Sequence, residues 1–389
     1  MHVPKLLSPI VVTASVAALA LTSAGPAAAH SASHRHSAFK AFAGKHAKAH
    51  IQTKASVTTL TDQVFGPFNL DIRGGKVLVA DGFTGLVSRV NPNGNLSTVA
   101  TSPFDGGDVL GVASGDGALA WTGSAPSAQP FVNGDQVLTV RRPGQPDQKI
   151  DITAFEDAKN PDQVNTYGTT STDPCVTGFL EAATGAPASY SGVLDSHAFS
   201  IAYAGSGAWY VADAAGNDIL KVSRSGAISV VKVLPPQPIT ITAAQAAALG
   251  APDCLIGVTY GFEPVPTDVE VSGGKLYVST LPGGPEDPSL GARGSVYTMK
   301  TNGSHLRRLA TGFLGATNLA VGGGHVYVSE LFAGQVSKVV NGHGVPLAAL
   351  PGPLGLEYAG GNLYAGVIAQ TDDQGNPTAP GAVVKITLH

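Results

Sequence analysis

The stretch Thr317–Val339, TNLAVGGGHVYVSELFAGQVSKV, decides the fold. It holds two short alternating apolar runs joined by a glycine turn, then a third run after Ala333-Gly334, the pattern of three antiparallel strands. The unit recurs. Asn69-Leu-Asp-Ile-Arg-Gly-Gly75 precedes KVLVAD and GLVSRV; Asp268-Val-Glu-Val-Ser-Gly-Gly274 precedes KLYVST and GSVYTM; Gly355-Leu-Glu-Tyr-Ala-Gly-Gly361 precedes NLYAGV and GAVVKI. In all four copies the polar or glycine position lies six residues before the second turn glycine.

Further copies begin near Asp108 (VLGVAS, ALAWTG, QVLTVRR, QKIDIT) and at Phe199 (SIAYAG, AWYVAD, DILKVS, AISVVKV), which makes six units of about four strands. A repeat of this kind builds a solenoid or a propeller. The ends decide between them. The last unit stops after its third strand, GAVVKITLH, while the lone run Ser56–Val64, SVTTLTDQV, has the character of the missing fourth. Pairing the two would close the array and hide its sheet edges. The expected fold is all-β: a six-bladed β-propeller over residues 55–389, closed by its N-terminal strand, with irregular insertions at 154–196 and 235–266 flanking the third blade. Short helices are expected over Phe155–Lys159, ended by Asn160-Pro161, and over Thr242–Leu249.

Composition agrees with a turn-rich sheet protein: 49 Gly, 27 Pro, 43% hydrophobic and only 13% charged residues among 389. Residues 1–29 read as a signal peptide, with Lys5, an apolar run from Leu6 to Leu21 and an A-x-A end before His30; the alternative is an uncleaved anchor. No later apolar run is long enough to span a bilayer, so a secreted protein without a transmembrane segment is expected after cleavage. Residues 30–54 hold five of the eleven His and five Lys or Arg but no acidic residue, in an Ala/Ser background. The plain reading is a flexible linker; metal binding or attachment to an anionic envelope polymer are the alternatives. The body, residues 55–389, carries 17 basic and 27 acidic residues, net −10, which argues against nucleic acid as partner.

Cys175 and Cys254, in Pro/Asp contexts outside the repeats, are the only cysteines, and an even low count in an exported chain predicts one disulfide. No C-x-x-C, G-x-S-x-G, H-E-x-x-H or G-x-x-x-x-G-K-[ST] is present, which removes those zinc, hydrolase and phosphate-loop families. In a propeller the first strand of each blade lines the channel, and the period of two puts Asn69, Asp71, Asp268, Glu270, Asn318 and Glu357 on one face. Such oxygens could bind Ca²⁺ or a polar ligand, or could simply bond the backbone at a strand start. Asp81, Asp213 and Glu330, which end the second strands, read as turn residues that repeat with the fold.

At the first insertion the residues resemble a known family. Ala154-Phe-Glu-Asp-Ala-Lys-Asn-Pro-Asp162, Val193-Leu-Asp-Ser-His-Ala-Phe199, the segment from Trp209 to Val222 and Val265-Pro-Thr-Asp-Val269 resemble the ScyD/ScyE family of exported propeller proteins, over roughly Val57 to Leu388. The family's F/Y-E-x-x-x-N-P-D stretch is matched by Phe155, Glu156, Asn160, Pro161 and Asp162. Its D-S-N-P segment is met by Asp195 and Ser196, with His197 and Ala198 in place of Asn-Pro. The resemblance implies a periplasmic or secreted location and no established reaction for most members.

These residues set the functional expectation: a polar pocket built from the channel oxygens and from Glu156, Asn160, Asp162, Asp195 and His197 of the insertion, pinned by the cysteines. The first reading is a monomeric, non-catalytic binding or scaffold protein for a small polar ligand, a glycan or a cell-envelope partner. The second is a lactonase-like hydrolase or lyase in which Ca²⁺ on Asn69, Asp268, Asn318 and Glu357 polarises a carbonyl and an insertion carboxylate or His197 moves the proton. The third is an adhesion protein attached through its basic, His-rich arm.

Overall fold

The computed structural model describes residues 55–127, 132–285, 287–371 and 377–389. The segments read as signal peptide and linker lie outside the described residues. Strand and turn dominate, because the alternating runs are short and each is stopped by glycine at a turn.

Six antiparallel four-stranded sheets follow the six units. Their first strands are Pro67–Arg73, Asp108–Gly115, Ala198–Gly205, Pro266–Ser272, Ala316–Gly322 and Pro353–Ala359. In five of them the strands run in chain order from inside to outside. In the last, Pro353–Ala359, Asn362–Val367 and Gly381–Leu388 are followed outermost by Ala55–Val64, paired antiparallel from Ala55 opposite Leu388 to Val64 opposite Gly381. The pairing expected of the lone N-terminal run is therefore present. Each first strand lies against that of the next sheet, and Pro353–Ala359 lies against Pro67–Arg73. Gly355 permits that last approach: a Cβ there would stand 3.0 Å from the Cα of Asn69.

Between the sheets pack apolar layers. Leu70, Val112, Ile201, Val269, Leu319 and Leu356, one from each first strand, are all buried at these seams. Every first strand also breaks register near its start, leaving Phe68, Leu110, Phe199, Thr267, Thr317 and Leu354 out of the pairing. Four of these are large and apolar. Phe68, Leu110, Phe199 and Leu354 cluster with Ala214, Val265, Leu281 and Leu331, and Phe68 meets Phe199 edge-on with ring centroids 5.9 Å apart. This stopper across the starts of the first strands was not anticipated from the sequence.

The insertions are more ordered than their composition suggests. Helix α1, Ile152–Lys159, begins three residues before the expected Phe155, because Asp151 caps it by accepting the amide of Ala154 at 2.8 Å. It ends at left-handed Asn160, as Asn160-Pro161 predicts. Helix α2, Pro174–Thr184, was missed; Asp173 caps its start and left-handed Gly185 its end. Helix α3, Ala243–Ala248, follows expectation, with a Thr242/Gln245 capping box. Short strands of the two insertions, Thr166–Gly168, Ser189–Ser191, Gln237–Thr240 and Thr259–Phe262, join in one further four-stranded sheet.

Candidate functional site

The sequence-selected residues fall into two acidic groups on either side of the apolar stopper. Their order along the third sheet's first strand shows this: His197 precedes Phe199 of the stopper, and Ser200 and Ala202 follow it.

In the first group, Asn69, Asp268 and Asn318 are buried and act across seams between sheets. Asn69 Oδ1 accepts the amide of Val112 at 3.1 Å, Asp268 Oδ2 that of Leu319 at 3.0 Å and Asn318 Oδ1 that of Leu356 at 2.9 Å. Asn69 Nδ2 also donates to Ser200 Oγ at 3.3 Å, and Ser200 Oγ donates to Asp268 Oδ1. Ser200 escaped sequence reasoning because it lies seven residues before Gly207; a register shift between Tyr203 and Gly205 adds a residue to that hairpin.

Two residues further on, Asp71, Glu270 and Glu357 share a level with Ala113, Ala202 and Ala320 of the other three sheets. Ser114 Oγ donates to Asp71 Oδ2 at 2.5 Å. Burial pushes the carboxyls of Glu270 and Glu357 well above the usual range. Repulsion adds to this, from Glu357, Asp268 and Asp71 at Glu270, and from Asp71 and Asp268 at Glu357. Burial likewise raises Asp71, and raises Asp268 to about 7. The three carboxyls thus converge, while the alanines of the same level leave space. Arg73, two residues beyond Asp71 and exposed, lies 5.7 Å from the ring centre of Tyr203 and lowers Asp71 and Glu357 in part.

The second group lies beneath the insertions. Glu156 follows from α1, Asp162 from the turn Pro161–Val164, and Asp195 from the entry to the third sheet. Asp213, Asp218 and Glu263 join them. Asp162 Oδ2 accepts Tyr167 Oη at 3.1 Å and Asn217 Nδ2 at 2.9 Å; its other oxygen crowds Gly192, where a Cβ would stand 1.8 Å away. Asn160 Nδ2 donates to the Gly192 carbonyl at 3.1 Å, and Asn133 Nδ2 to Asp195 Oδ2 at 2.9 Å. Burial first, then the neighbouring carboxylates, push Glu156 up to about 9 and Asp195 to about 7. Burial also raises Glu263 to about 8 and Asp162 to about 6, each against opposing hydrogen bonds. His197 is 1% exposed and edge-on to Phe199, and burial lowers it to about 4, so it stays neutral near pH 7.

Asp81, Asp213 and Glu330 do the turn work read from the sequence. Each accepts an amide 16 residues upstream, from Phe65 at 2.8 Å, His197 at 2.6 Å and Leu314 at 2.8 Å, so the end of the second strand grips the entry to its own sheet. Four residues after each acid comes a left-handed position, held by Gly85, Asn217 and Gly334. Asn217 is the exception with a side chain: its Nδ2 reaches Asp162 and the Ala215 carbonyl, and its Oδ1 accepts Val265 N at 3.1 Å.

The expected disulfide joins Cys175 of α2 to Cys254 of the second insertion, with Cα atoms 6.3 Å apart. It closes a loop over a separation of 79 residues, worth about 4 to 5 kcal/mol by chain entropy. We expect the Cys175→Ser/Cys254→Ser variant to exchange amide hydrogens faster across 154–196 than across the six sheets; uniform protection would remove the cross-link's role in pinning the insertions.

No protein-family model matches the chain, nor does any curated protein. Several solved structures are similar to it. A catalytically inactive virginiamycin B lyase from Staphylococcus aureus with quinupristin is 13% identical, covering 87% of this chain and 100% of its own, with TM-score 0.45. A putative gluconolactonase is 14% identical, covering 86% and 92%, with TM-score 0.45. A luciferin-regenerating enzyme is 9% identical, covering 86% and 95%, with TM-score 0.48. The chain itself, with its successive four-stranded antiparallel sheets packed by their first strands, is a β-propeller.

Proposed function

We propose that residues 55–389 form a six-bladed propeller of the ScyD/ScyE type, closed by Ala55–Val64, which is secreted as a monomer and binds a small polar ligand or a cell-envelope component. The observation that carries this reading is the convergence of Asp71, Glu270 and Glu357 at one level with three alanines between them. Carboxyls arranged so accept hydrogen bonds and favour a ligand with a positive charge or several hydroxyls, such as an amino sugar. The ligand enters from the end where Arg73 is exposed, since the stopper closes the other.

The lactonase-like alternative assigns Ca²⁺ to Asn69, Asp268, Asn318 and Glu357. The oxygens of the first three already accept backbone amides across sheet seams, which aims them at the neighbouring strand. Among the described residues no three His, Cys, Asp or Glu groups form a ready-made metal site. The set does not fit that ion.

Calorimetric titration with glucosamine and N-acetylglucosamine tests the binding reading. The free amine should bind the tighter, and a Glu270→Gln/Glu357→Gln variant should lose about tenfold or more in affinity for it. Affinity should rise with pH as carboxyls held above their usual range ionise, until the amine of the ligand itself loses its proton. Equal binding by variant and wild type would remove these residues from the site.

A further inference from the structure

A groove of about 500 Å³ opens on the outer flank of the third sheet, three strands out from the strand that faces the channel. Val230–Val233 of the outermost strand, Ile228–Val233, line it together with Val164 and Asn165 of the first insertion, Pro235 and Leu306. Six of these eight residues are apolar, and the fold leaves Val164 76% and Val230 40% exposed. The groove is preformed, because both sides are fastened. Asn165 Nδ2 donates to the Leu234 carbonyl at 2.9 Å and to Tyr167 Oη at 3.0 Å, which ties the insertion to the end of the strand. On the side of the fourth sheet, Gly303 fits against the Val231 carbonyl, 2.0 Å from where a Cβ would stand, and Tyr210 Oη donates to the Thr301 carbonyl of the same turn at 3.0 Å.

The charge here opposes that of the body. Lys232 is the one charged residue in the lining, and no acid accompanies it. Among the described residues it makes no ion pair, nor does exposed Arg307, which directly follows Leu306. A pairing strand does not suit this edge. The strand bulges at Val231, where Lys232 opposes Ile219 but Val230 opposes Leu220, and Gly303 covers the Val231 carbonyl. Both features interrupt a ladder of backbone hydrogen bonds.

We propose that this groove is a second ligand site, separate from the channel, for a small amphipathic anion: an apolar body on the valines and Leu306, and one carboxylate on Lys232. Its volume lies within the roughly 300–1,000 Å³ of small-molecule sites, which are likewise mostly apolar with a few polar groups. Burial of the apolar body drives binding, while the ammonium of Lys232 orients the ligand and favours an anion over its neutral analogue. Arg307 adds attraction at longer range, which salt screens. None of the channel residues takes part.

The test is calorimetric titration of the purified protein with sodium decanoate, below its micelle-forming concentration, and with n-decanol. Decanoate should bind at one site, more tightly than decanol, and more weakly as salt is added. Lys232→Gln should lose about fivefold or more in decanoate affinity and leave decanol binding unchanged. Val164→Asp, at an exposed position, should weaken both ligands, decanoate the more, with the thermal midpoint unmoved. Glu270→Gln/Glu357→Gln should bind decanoate as the wild type does, so failure here is distinguishable from failure of the channel reading. Decanoate affinity retained in both Lys232→Gln and Val164→Asp overturns the proposal. So does a wild type that ignores decanoate, and if an acidic, valine-rich peptide binds there instead, the flank is a protein-docking face.

Discussion

A chain lacking Ala55–Val64 is expected to lose cooperative unfolding and to self-associate. The strand it removes covers the whole length of Gly381–Leu388 and buries Val64 completely at the seam with Leu70, Val77, Val79 and Val383. Without it the last sheet presents an open edge of unpaired amides and carbonyls beside an exposed apolar strip, the usual template for association. The first and last sheets would then be held only by contacts such as Gly355 against Asn69 and by their shared apolar seam. Size-exclusion chromatography and thermal unfolding of the truncated protein measure the effect, and a synthetic 55–64 peptide added in trans should restore a monomer. If the truncated protein elutes as a monomer with an unchanged midpoint, the N-terminal strand does not close the propeller.

Asn217→Ala is the point substitution expected to do most damage. The side chain makes three hydrogen bonds inside the protein, to Asp162 Oδ2, the Ala215 carbonyl and the Val265 amide. Its backbone sits at φ 55°, where alanine is disfavoured, and its carbonyl accepts Leu234 N at 2.9 Å. Each buried bond contributes about 1 kcal/mol and the left-handed conformation costs alanine about 1 to 2, so a loss of about 3 to 5 kcal/mol is expected. Asn217→Gly separates the parts: it keeps the backbone and should recover about 1 to 2 kcal/mol of that loss. Urea denaturation of the three proteins decides it, and two variants of equal stability would show that backbone conformation is not a component.

These two sites show what sequence could and could not reveal. The N-terminal strand was legible because a missing fourth strand at one end and a spare strand at the other are both visible as alternation. The six-residue offset found Asn69, Asp268 and Asn318, but not their role, because the amide each one receives belongs to a different sheet. Thr166–Gly168 and Ser189–Ser191 are too short for a period to register, so the insertion sheet passed as irregular chain. Asn217 did leave a signal: the two equivalent turns have glycine there, and an asparagine in its place points to work for the amide. Asp218 and Glu263 carried none, since only folding brings them to Glu156 and Asp162.

On the proposed reading, the apolar cluster of Phe68, Leu110, Phe199 and Leu354 limits the kinds of molecule the channel could take. A bore open at both ends could be threaded by a long polymer at any point along its length. If the bore binds a ligand as proposed, the apolar cluster at the strand starts would leave it a single mouth. A ligand bound there as proposed would have to leave by the way it came. A chain molecule can offer only its terminus, so a glycan or peptide partner would be recognised by its end group and not by its interior sequence.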